Sequence, residues 1–481
     1  MTDLEKIKAL VKEQEEVSIK LAEEIWEYAE LSFEETKSAN ALIEALKKEG
    51  FTVETGLADI PTAFTASFSN GTGKPVMGVL AEYDALDGLS QKAGCPVQEA
   101  VEGCSTGHGC GHNLLGVGCF AAAVAVKNYL VNEGKDGTIV FYGCPAEEGA
   151  GSKQFLARAG VFDNCDFAYT WHPATINEVT SKGSVAIMGA NFVFDGIAAH
   201  AGGSPHLGRS ALDACELMNV GVNYLREHMI DPARIHYAYS DAGGTAPNVV
   251  QNHAVIKYEV RAPKVSQVQE LFTRVVDVAK GAALMTGTKM EYEITMAFSD
   301  YVANKKLAAV MDQAFKELGA PEWTEEDYKL ATEFLYTYSK ATQKNIREEL
   351  LEVFETEDAV AEAIKTPLHK GVVPYNPKEF RYDSGSTDVG DVGYATPTVM
   401  ANVVTACLGC VGHSWQWTAF SNSPVGMKGM MRAAELMALS CVRTMEDPEL
   451  IEAAKEELKK KNGGKYTCPL PDYVTPPIGR Y

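Results

Sequence analysis

The sequence is short of basic residues, with 43 lysines and arginines against 65 aspartates and glutamates and a formal net charge of -22. A surface of this sign repels phosphate backbones, so we expect no general nucleic-acid binding. Hydrophobic residues make up 46% of the chain and charged residues 22%, which is typical of globular proteins. For 481 residues, two or three domains are expected.

Several other features are also missing. The first helical stretch mixes charged and apolar residues and lacks the uninterrupted apolar core of a signal peptide. No other stretch has the length of charge-free apolar sequence that a membrane-spanning helix needs. We therefore expect a soluble, cytoplasmic protein with no membrane partner, whose 11 cysteines are reduced thiols. There is no internal repeat and no low-complexity segment.

The first part of the chain alternates apolar runs with helical stretches. The expected elements are two amphipathic helices in 1–50, strands at Pro75–Ala81, Thr138–Gly143 and Phe167–Trp171, and a buried helix at Asn113–Tyr129. Continuous apolar strands separated by helices predict an α/β fold with a mostly parallel sheet covered by helices. Ligands of such sheets gather beyond the carboxyl ends of the strands, and polar residues follow these strands.

From about Ser184 the order becomes strand, helix, strand, strand, helix, strand, which is that of a ferredoxin-like α+β domain. The expected elements are Ser184–Asp195, Arg209–His228, Arg234–Tyr239, Ala254–Ala262, Ser266–Met285 and Lys289–Ala297. The parallel-sheet pattern resumes at Pro397–Thr405, after a charged helical region at 320–365. We therefore predict a main domain of residues 1–184 and 300–481 and an inserted domain of residues 185–299.

Cys110 and His112 form the densest candidate for chemistry, within the segment Gly107–Asn113. Thiolate and imidazole bind zinc and related metals well at neutral pH, and the flanking glycines allow close backbone approach. Short Cys/His clusters also occur as ordinary buried residues. Asn113 is a candidate to cap the following helix.

Glu147 and Glu148 follow an expected strand directly. In extended chain, adjacent side chains point to opposite sides, so one carboxylate can bind a metal while the other serves as a general base. The spacing does not assign the two roles. His172 and His413 are ambiguous singly. Together with Cys110, His112 and Glu148, however, they would make five ligands, which is enough for two metals.

Other interpretations compete with a metal site. Cys110 could instead be the nucleophile of a thiol hydrolase, with His108 or His112 as its base. The fold could also belong to a catalytically silent binding protein. The pair Cys407 and Cys410 has the spacing of a zinc or redox site, although its apolar flanks favour a packing role.

Seven motifs in order resemble those of the dinuclear-metal aminoacylase/carboxypeptidase superfamily, in particular the aminobenzoyl-glutamate group of its amidohydrolase branch. They are AEYDAL, HGCGHN, PAEEGAGSK, WHP, GIAAHAGGSPHLGRSALDA, GSTDVGDV and GHSWQW. The resemblance implies two divalent metal ions per subunit, manganese in preference to zinc, with Glu147 as the base. The implied metal ligands are Cys110, His112, Glu148, His172 and His413.

The resemblance also assigns roles to the inserted domain, as a lid and a dimerisation domain. It implies that His200 reaches the active site of the neighbouring subunit, and that Asn248 and Arg261 hold a substrate carboxylate. A homodimer is expected, or a hetero-oligomer with a related subunit. Two positions depart from the wider branch, because Glu82 replaces an aspartate and Asn113 stands where many relatives have one.

The implied activity is hydrolysis of the amide of an N-acyl or N-aroyl amino acid with a free carboxylate. The first expected substrate is p-aminobenzoyl-glutamate, cleaved to p-aminobenzoate and glutamate. An exopeptidase, a dipeptidase or a general N-acyl-amino-acid deacylase remains an alternative, because the chemistry is the same. Trp415 and Trp417 could pack on an aromatic acyl group or simply fill the core.

Overall fold

The computed structural model describes residues 1–181, 183–354, 356–377, 382–383 and 385–479. Three helices open the chain, not the two that were predicted, because a turn at Glu13 and Gln14 divides the first helical stretch into two helices. A left-handed residue, Ala29, ends the second of them. The elements up to the second sheet are α1 (Asp3–Lys12), α2 (Glu15–Tyr28), α3 (Thr36–Lys48), β1 (Thr52–Thr55), β2 (Phe64–Asn70), β3 (Val76–Ala81), α4 (His112–Glu133), β4 (Gly137–Gly143), α5 (Lys153–Arg158), β5 (Phe167–Ala174), β6 (Glu178–Val179) and β7 (Gly183–Ser184).

The remaining elements first form the second sheet with its helices and then return to the main sheet. They are β8 (Ala186–Asp195), α6 (Ala211–Leu225), β9 (Arg234–Asp241), β10 (His253–Ala262), α7 (Val265–Thr286), β11 (Lys289–Phe298), α8 (Lys305–Leu318), α9 (Glu325–Leu335), α10 (Lys340–Phe354), α11 (Glu357–Ala363), β12 (Tyr382–Asp383), α12 (Val389–Ala395), β13 (Thr398–Val404), α13 (Trp415–Phe420), α14 (Pro424–Met445) and α15 (Pro448–Asn462).

The main sheet has seven strands in the order β1-β2-β4-β3-β5-β13-β6. Its four central strands, β4, β3, β5 and β13, pair in parallel, while the outer strands pair antiparallel. The mostly parallel α/β sheet is thus confirmed. Because parallel strands end at the same edge, the loops after β3, β4, β5 and β13 meet there.

The second sheet has four antiparallel strands in the order β11-β8-β10-β9, the arrangement of a ferredoxin-like domain. Alternate residues of β10 are buried, and helices α6 and α7 pack against the sheet. All four strands fall within the range 185–299 predicted for the inserted domain.

Helix α4 is the centre of the larger hydrophobic core, where it packs between the main sheet and α14. It is long and apolar enough to cross a membrane by length and composition alone, which the sequence interpretation had not anticipated. In the folded chain, 89% of its apolar window is buried inside the protein. Such burial on all sides is that of a core helix.

Candidate metal centre

The side chains predicted to bind metal converge at the carboxyl edge of the main sheet. Cys110 and His112 stand at the start of α4, where Gly111 has a φ of 80° and approaches the ring of Pro173. His172 lies within β5, two residues before its end, and not after the strand as predicted. The other two predicted ligands are Glu148, in the turn after β4, and His413, in the loop between β13 and α13.

Two sets of three donor atoms share the Cys110 thiol. One set is Cys110, His112 and His172, and the other is Cys110, Glu148 and His413, with all ligand atoms of a set within 4.8 Å of one another. The Cys110 Sγ lies 3.4 Å from His172 Nε2. The His413 Nε2 lies 3.3 Å from Glu148 Oε2. Each set could hold one metal ion, and Cys110 belongs to both.

Hydrogen bonds through the Nδ1 atoms orient the imidazole rings of His112 and His172. The His112 Nδ1 donates to Asp84 Oδ1 at 2.8 Å, and the His172 Nδ1 donates to the Pro173 carbonyl at 2.7 Å. The Asp84 carboxylate is itself fixed, since Oδ2 accepts from the Ser32 hydroxyl and the Glu148 amide. Each ring in its neutral form therefore presents the lone pair of Nε2 to the site.

Two observations indicate that the residues at this edge of the sheet suit a divalent metal ion. The His112 Nε2 and Glu148 Oε1 atoms are buried, lie 3.9 Å apart, and have no hydrogen-bond partner in the described part of the chain. Buried polar atoms without partners are costly unless an ion or ligand satisfies them. The donor set of one thiolate, three imidazoles and one carboxylate also matches the chemistry of zinc and related ions.

Glu147 and Glu148 lie in a turn, so the prediction that an extended chain separates them was wrong. Ala146 before them has a φ of 64°, and its amide donates to Glu35 Oε1 at 2.8 Å. Burial, together with the charges of Glu82 and Glu148, raises the pKa of Glu147 well above its ordinary value. A raised pKa suits a carboxyl that must both accept and return a proton.

Unlike Glu147, Glu148 is favoured in its charged form, because it forms an ion pair with His413. Burial opposes ionisation of Glu148, but the hydrogen bond from His413 and the nearby His112 charge outweigh it and lower its pKa. The bond to Glu148 likewise raises the pKa of His413. His413 has a φ of 55° and its amide donates to the Gly109 carbonyl, which ties its loop to the Cys110 segment.

The surroundings of Cys110 disfavour the metal-independent thiol hydrolase. Burial and the charge of Glu148 raise the pKa of the Cys110 thiol well above its ordinary value, whereas a nucleophilic cysteine needs a stabilised thiolate. His108 is no base for it, because it is fully buried and its Nε2 hydrogen-bonds the Ile25 carbonyl. Burial lowers the pKa of His108 to about 4.

The three residues predicted in the inserted domain do not all lie at the metal centre. His200 is exposed, and its Nδ1 accepts from the amides of Gly202 and Gly203 at 3.1 and 2.9 Å. Asn248 is exposed beside it, with its carbonyl accepting from Ala201. Arg261 alone comes near, since its Nη1 is 3.5 Å from the Ser386 hydroxyl in the wall of the site.

A cavity of about 510 Å³ opens over the metal centre. Trp417 is 7% exposed and lines this cavity, while Trp415 packs on Phe334 outside it. Cys410 also reaches the wall, but both it and Cys407 are buried in a small hydrophobic core, in agreement with a packing role.

Three supporting groups, Glu35, Lys153 and Asp388, were missed by the sequence interpretation. All three are buried and lie far apart in sequence. Asn113 was assigned wrongly as a helix cap. It lies inside α4, whose N-cap is Gly111, and its side-chain amide donates to the carbonyls of Ala22 and Ser421.

Comparison with known proteins gives consistent matches. Residues 78–346 match Peptidase family M20/M25/M40. The chain is 43% identical over 462 residues to one of the subunits of p-aminobenzoyl-glutamate hydrolase from Escherichia coli (strain K12), a match that covers 95% of each chain. It is 26% identical over 453 residues to the Xaa-Arg dipeptidase of Mus musculus, covering 92% of this chain and 88% of that protein. A dinuclear metal-binding M20 peptidase from Bacillus subtilis shares the fold, with a TM-score of 0.57 at 16% identity over 90% of this chain and 99% of that one.

Proposed function

Because this chain belongs to Peptidase family M20/M25/M40, we propose that it is a metal-dependent amidohydrolase that cleaves p-aminobenzoyl-glutamate to p-aminobenzoate and glutamate. The observation that carries the proposal is the pair of three-donor sets that share Cys110, with the half-buried Glu147 beside them. The 43% identity to a hydrolase of that substrate supports the choice of amide.

Metal and protein have separate tasks in the proposed reaction. Two divalent ions held by the five donors would polarise the scissile carbonyl and make the attacking water more acidic. Glu147 accepts the proton of that water and later returns it to the nitrogen of the leaving amine. Its raised pKa, caused by burial and by the neighbouring Glu82 and Glu148 carboxylates, suits both transfers.

The cavity suggests how the two ends of the substrate bind. The aromatic acyl group would pack on Trp417, which lines the cavity close to His413. The glutamate carboxylates would lie towards Ser386 and Arg261, whose Nη1 is 3.5 Å from the Ser386 hydroxyl. An Arg guanidinium suits this task because it binds a carboxylate through two parallel hydrogen bonds.

In this proposal, His200 of a second subunit completes the active site. With Nδ1 accepting two backbone amides, its neutral ring carries the proton on Nε2, which can donate to the oxygen of the reacting carbonyl. Its exposed position away from the cavity supports donation to the site of a neighbouring subunit. One such donor lowers the reaction barrier by on the order of 3 kcal/mol. The neighbour would be a second copy of this chain or a related chain, since the relative from Escherichia coli is named as one subunit of its hydrolase.

A dipeptidase is the second candidate, favoured by the match to the Xaa-Arg dipeptidase. Reaction type and metal use are the same in both proposals. Only the groups on either side of the amide differ, so a substrate panel separates them.

The decisive experiment uses chelator-stripped protein reconstituted with Mn²⁺ or with Zn²⁺. Each form is assayed against p-aminobenzoyl-glutamate, other N-acyl amino acids and Xaa-Arg dipeptides. We expect the highest kcat/KM for p-aminobenzoyl-glutamate with Mn²⁺ and no turnover by the stripped protein. A higher kcat/KM for the dipeptides would replace the proposed substrate. Full activity of stripped protein would contradict metal dependence.

A further inference from the structure

Glu82 is a buried carboxylate at the metal centre that has no role in the five-donor set. It follows β3 directly and is 2% exposed. Its Oε1 accepts from the Lys153 ammonium at 2.7 Å. Its Oε2 lies 3.3 Å from His112 Nε2, and Glu82, His112 and Glu147 form a third set of donor atoms within 4.8 Å of one another.

Lys153 fixes the position of this carboxylate. Its side chain is fully buried, and its Nζ also donates to Asp388 Oδ1 at 2.6 Å. The second oxygen of Asp388 accepts from the backbone amides of Ser152 and Lys153, which anchors the group to the start of α5. One ammonium between two carboxylates leaves one buried negative charge, and such a charge is stable only beside a further cation.

The atom that faces Glu82 is itself without a partner. The His112 Nδ1 is engaged by Asp84, so the neutral ring presents a lone pair at Nε2, which has no hydrogen-bond partner within the described residues. A lone pair and a carboxylate oxygen repel each other unless a proton or a metal lies between them. Two donors of one ion, each bonded at about 2.1 Å, are about 3.0 to 3.5 Å apart, which matches the observed 3.3 Å.

We propose that Glu82, held by Lys153, is a further ligand of the metal ion that His112 binds. The inference rests on the proposed metal dependence and adds a hard oxygen donor to a set rich in nitrogen and sulfur. Carboxylate oxygen suits Mn²⁺ better than a thiolate does. Glu82 therefore gives this site a chemical reason to accept manganese.

The test is metal binding by the Glu82→Gln variant, which keeps the shape of the side chain and removes its charge. Stripped protein is titrated with Mn²⁺ by calorimetry, and the Co²⁺-loaded form is examined by its d–d absorption. We expect the parent to bind two ions. The variant should bind one of them at least tenfold more weakly and show altered d–d bands, because its coordination sphere has lost an oxygen.

Glu435→Gln is the matched control, because Glu435 is also a largely buried glutamate but pairs with Arg432 on α14. It should bind both ions like the parent. Glu82→Gln affinities within threefold of the parent would overturn the proposal, as would weaker binding with unchanged d–d bands. A parent that binds no metal would instead overturn the proposed function, and the ligand assignment with it.

Lys153 is a positioning residue in this proposal, and a double-mutant cycle tests that. If Lys153 acts through Glu82, then Lys153→Met should weaken Mn²⁺ binding in the parent and have little further effect in the Glu82→Gln background. Fully additive effects would contradict this link. If Lys153→Met does not fold, as circular dichroism would show, the Glu82→Gln result still decides the ligand role.

Discussion

Glu147, the proposed base, follows a strained turn and has a raised pKa. The left-handed Ala146 turns the chain after β4, and Glu35 stabilises that turn by accepting the Ala146 amide. A non-glycine residue in this conformation costs about 1 kcal/mol or more, so surrounding contacts must hold it. The turn directs Glu147 and Glu148 to different parts of the site.

The first prediction concerns Glu147→Gln. The amide keeps the size of the side chain but cannot take the proton of the attacking water. We expect kcat to fall by about 10² to 10⁴-fold, while two metal ions per chain are still bound. Steady-state kinetics and metal analysis of the same preparation check both parts. A variant that retains more than a tenth of the parental kcat would show that another group is the base.

The second prediction concerns Asp84→Asn, which removes the carboxylate that orients His112. We expect the affinity for one metal ion to fall by about 10 to 100-fold, measured by calorimetric titration of stripped protein. Asp166→Asn is the control, because Asp166 accepts from the Val76 amide at the opposite end of the strands. Equal affinities in both variants would refute the orienting role of Asp84.

The third prediction is a pH dependence of stability that arises from His369, away from the metal centre. Burial lowers the pKa of His369 to about 4, and its Nδ1 accepts from the Asn177 amide. The unfolded chain, with a pKa of about 6.5, therefore binds more protons between these values, so stability is present above pH 6.5 and falls as the pH drops towards 4.

His369→Gln keeps an acceptor for Asn177 and removes this titration. From pH 7.5 to 5, the parent should lose about 2 kcal/mol more unfolding free energy than the variant does. Urea unfolding of both proteins with chelator present measures the difference without metal effects. The same pH dependence in both proteins would contradict the prediction.

At the scale of elements, the contact between α4 and β5 brings together two of the proposed metal ligands, His112 and His172. A Cβ built on Gly118 of α4 would lie 2.8 Å from Trp171 Nε1, which donates to the Leu115 carbonyl. Trp171 immediately precedes His172, and His112 begins α4. The glycine therefore lets helix and strand approach closely enough for both imidazoles to face Cys110.

The fourth prediction follows from this contact. Gly118→Ala should destabilise the protein by about 1–3 kcal/mol and weaken metal binding, because the added methyl separates α4 from β5. Gly281→Ala in α7 is the control, since its Cβ would meet nothing within 4 Å. That variant should be more stable by about 0.5–1 kcal/mol. Urea unfolding compares both with the parent, and a neutral Gly118→Ala would show that α4 can shift without loss.

The periodic elements could be predicted from sequence, and the contacts between them could not. Alternation in β10 and the apolar runs of β3 and β4 follow from burial of one face or both, so the two sheets were recognisable. The turn at Ala146 has no such signal, because alanine rarely adopts a positive φ. The pairing of Lys153 with Asp388 joins residues 235 positions apart, and nothing local in either segment records it.

At the scale of the whole molecule, His200 lies in the loop between β8 and α6, away from the candidate metal centre of its own chain. His200 and Asn248 are exposed in loops of the second sheet, whereas Arg261 in β10 reaches the wall of the cavity. Either the second sheet moves to close the site, or His200 serves the cavity of a second copy. Both arrangements predict a loss of kcat in His200→Ala, so that variant alone does not distinguish them.

The fifth prediction distinguishes them by complementation. His200→Ala and Glu147→Gln chains are each nearly inactive alone, and we expect their co-expression to restore activity. In a mixed dimer with donation between subunits, the His200→Ala chain keeps an intact metal site and receives His200 from its partner. Random pairing makes half the dimers mixed with one working site each, so roughly a quarter of parental activity should return. Donation within one chain gives no recovery, because each chain lacks one of the two groups. The assay requires both variants to be dimeric, which size-exclusion chromatography with light scattering establishes first.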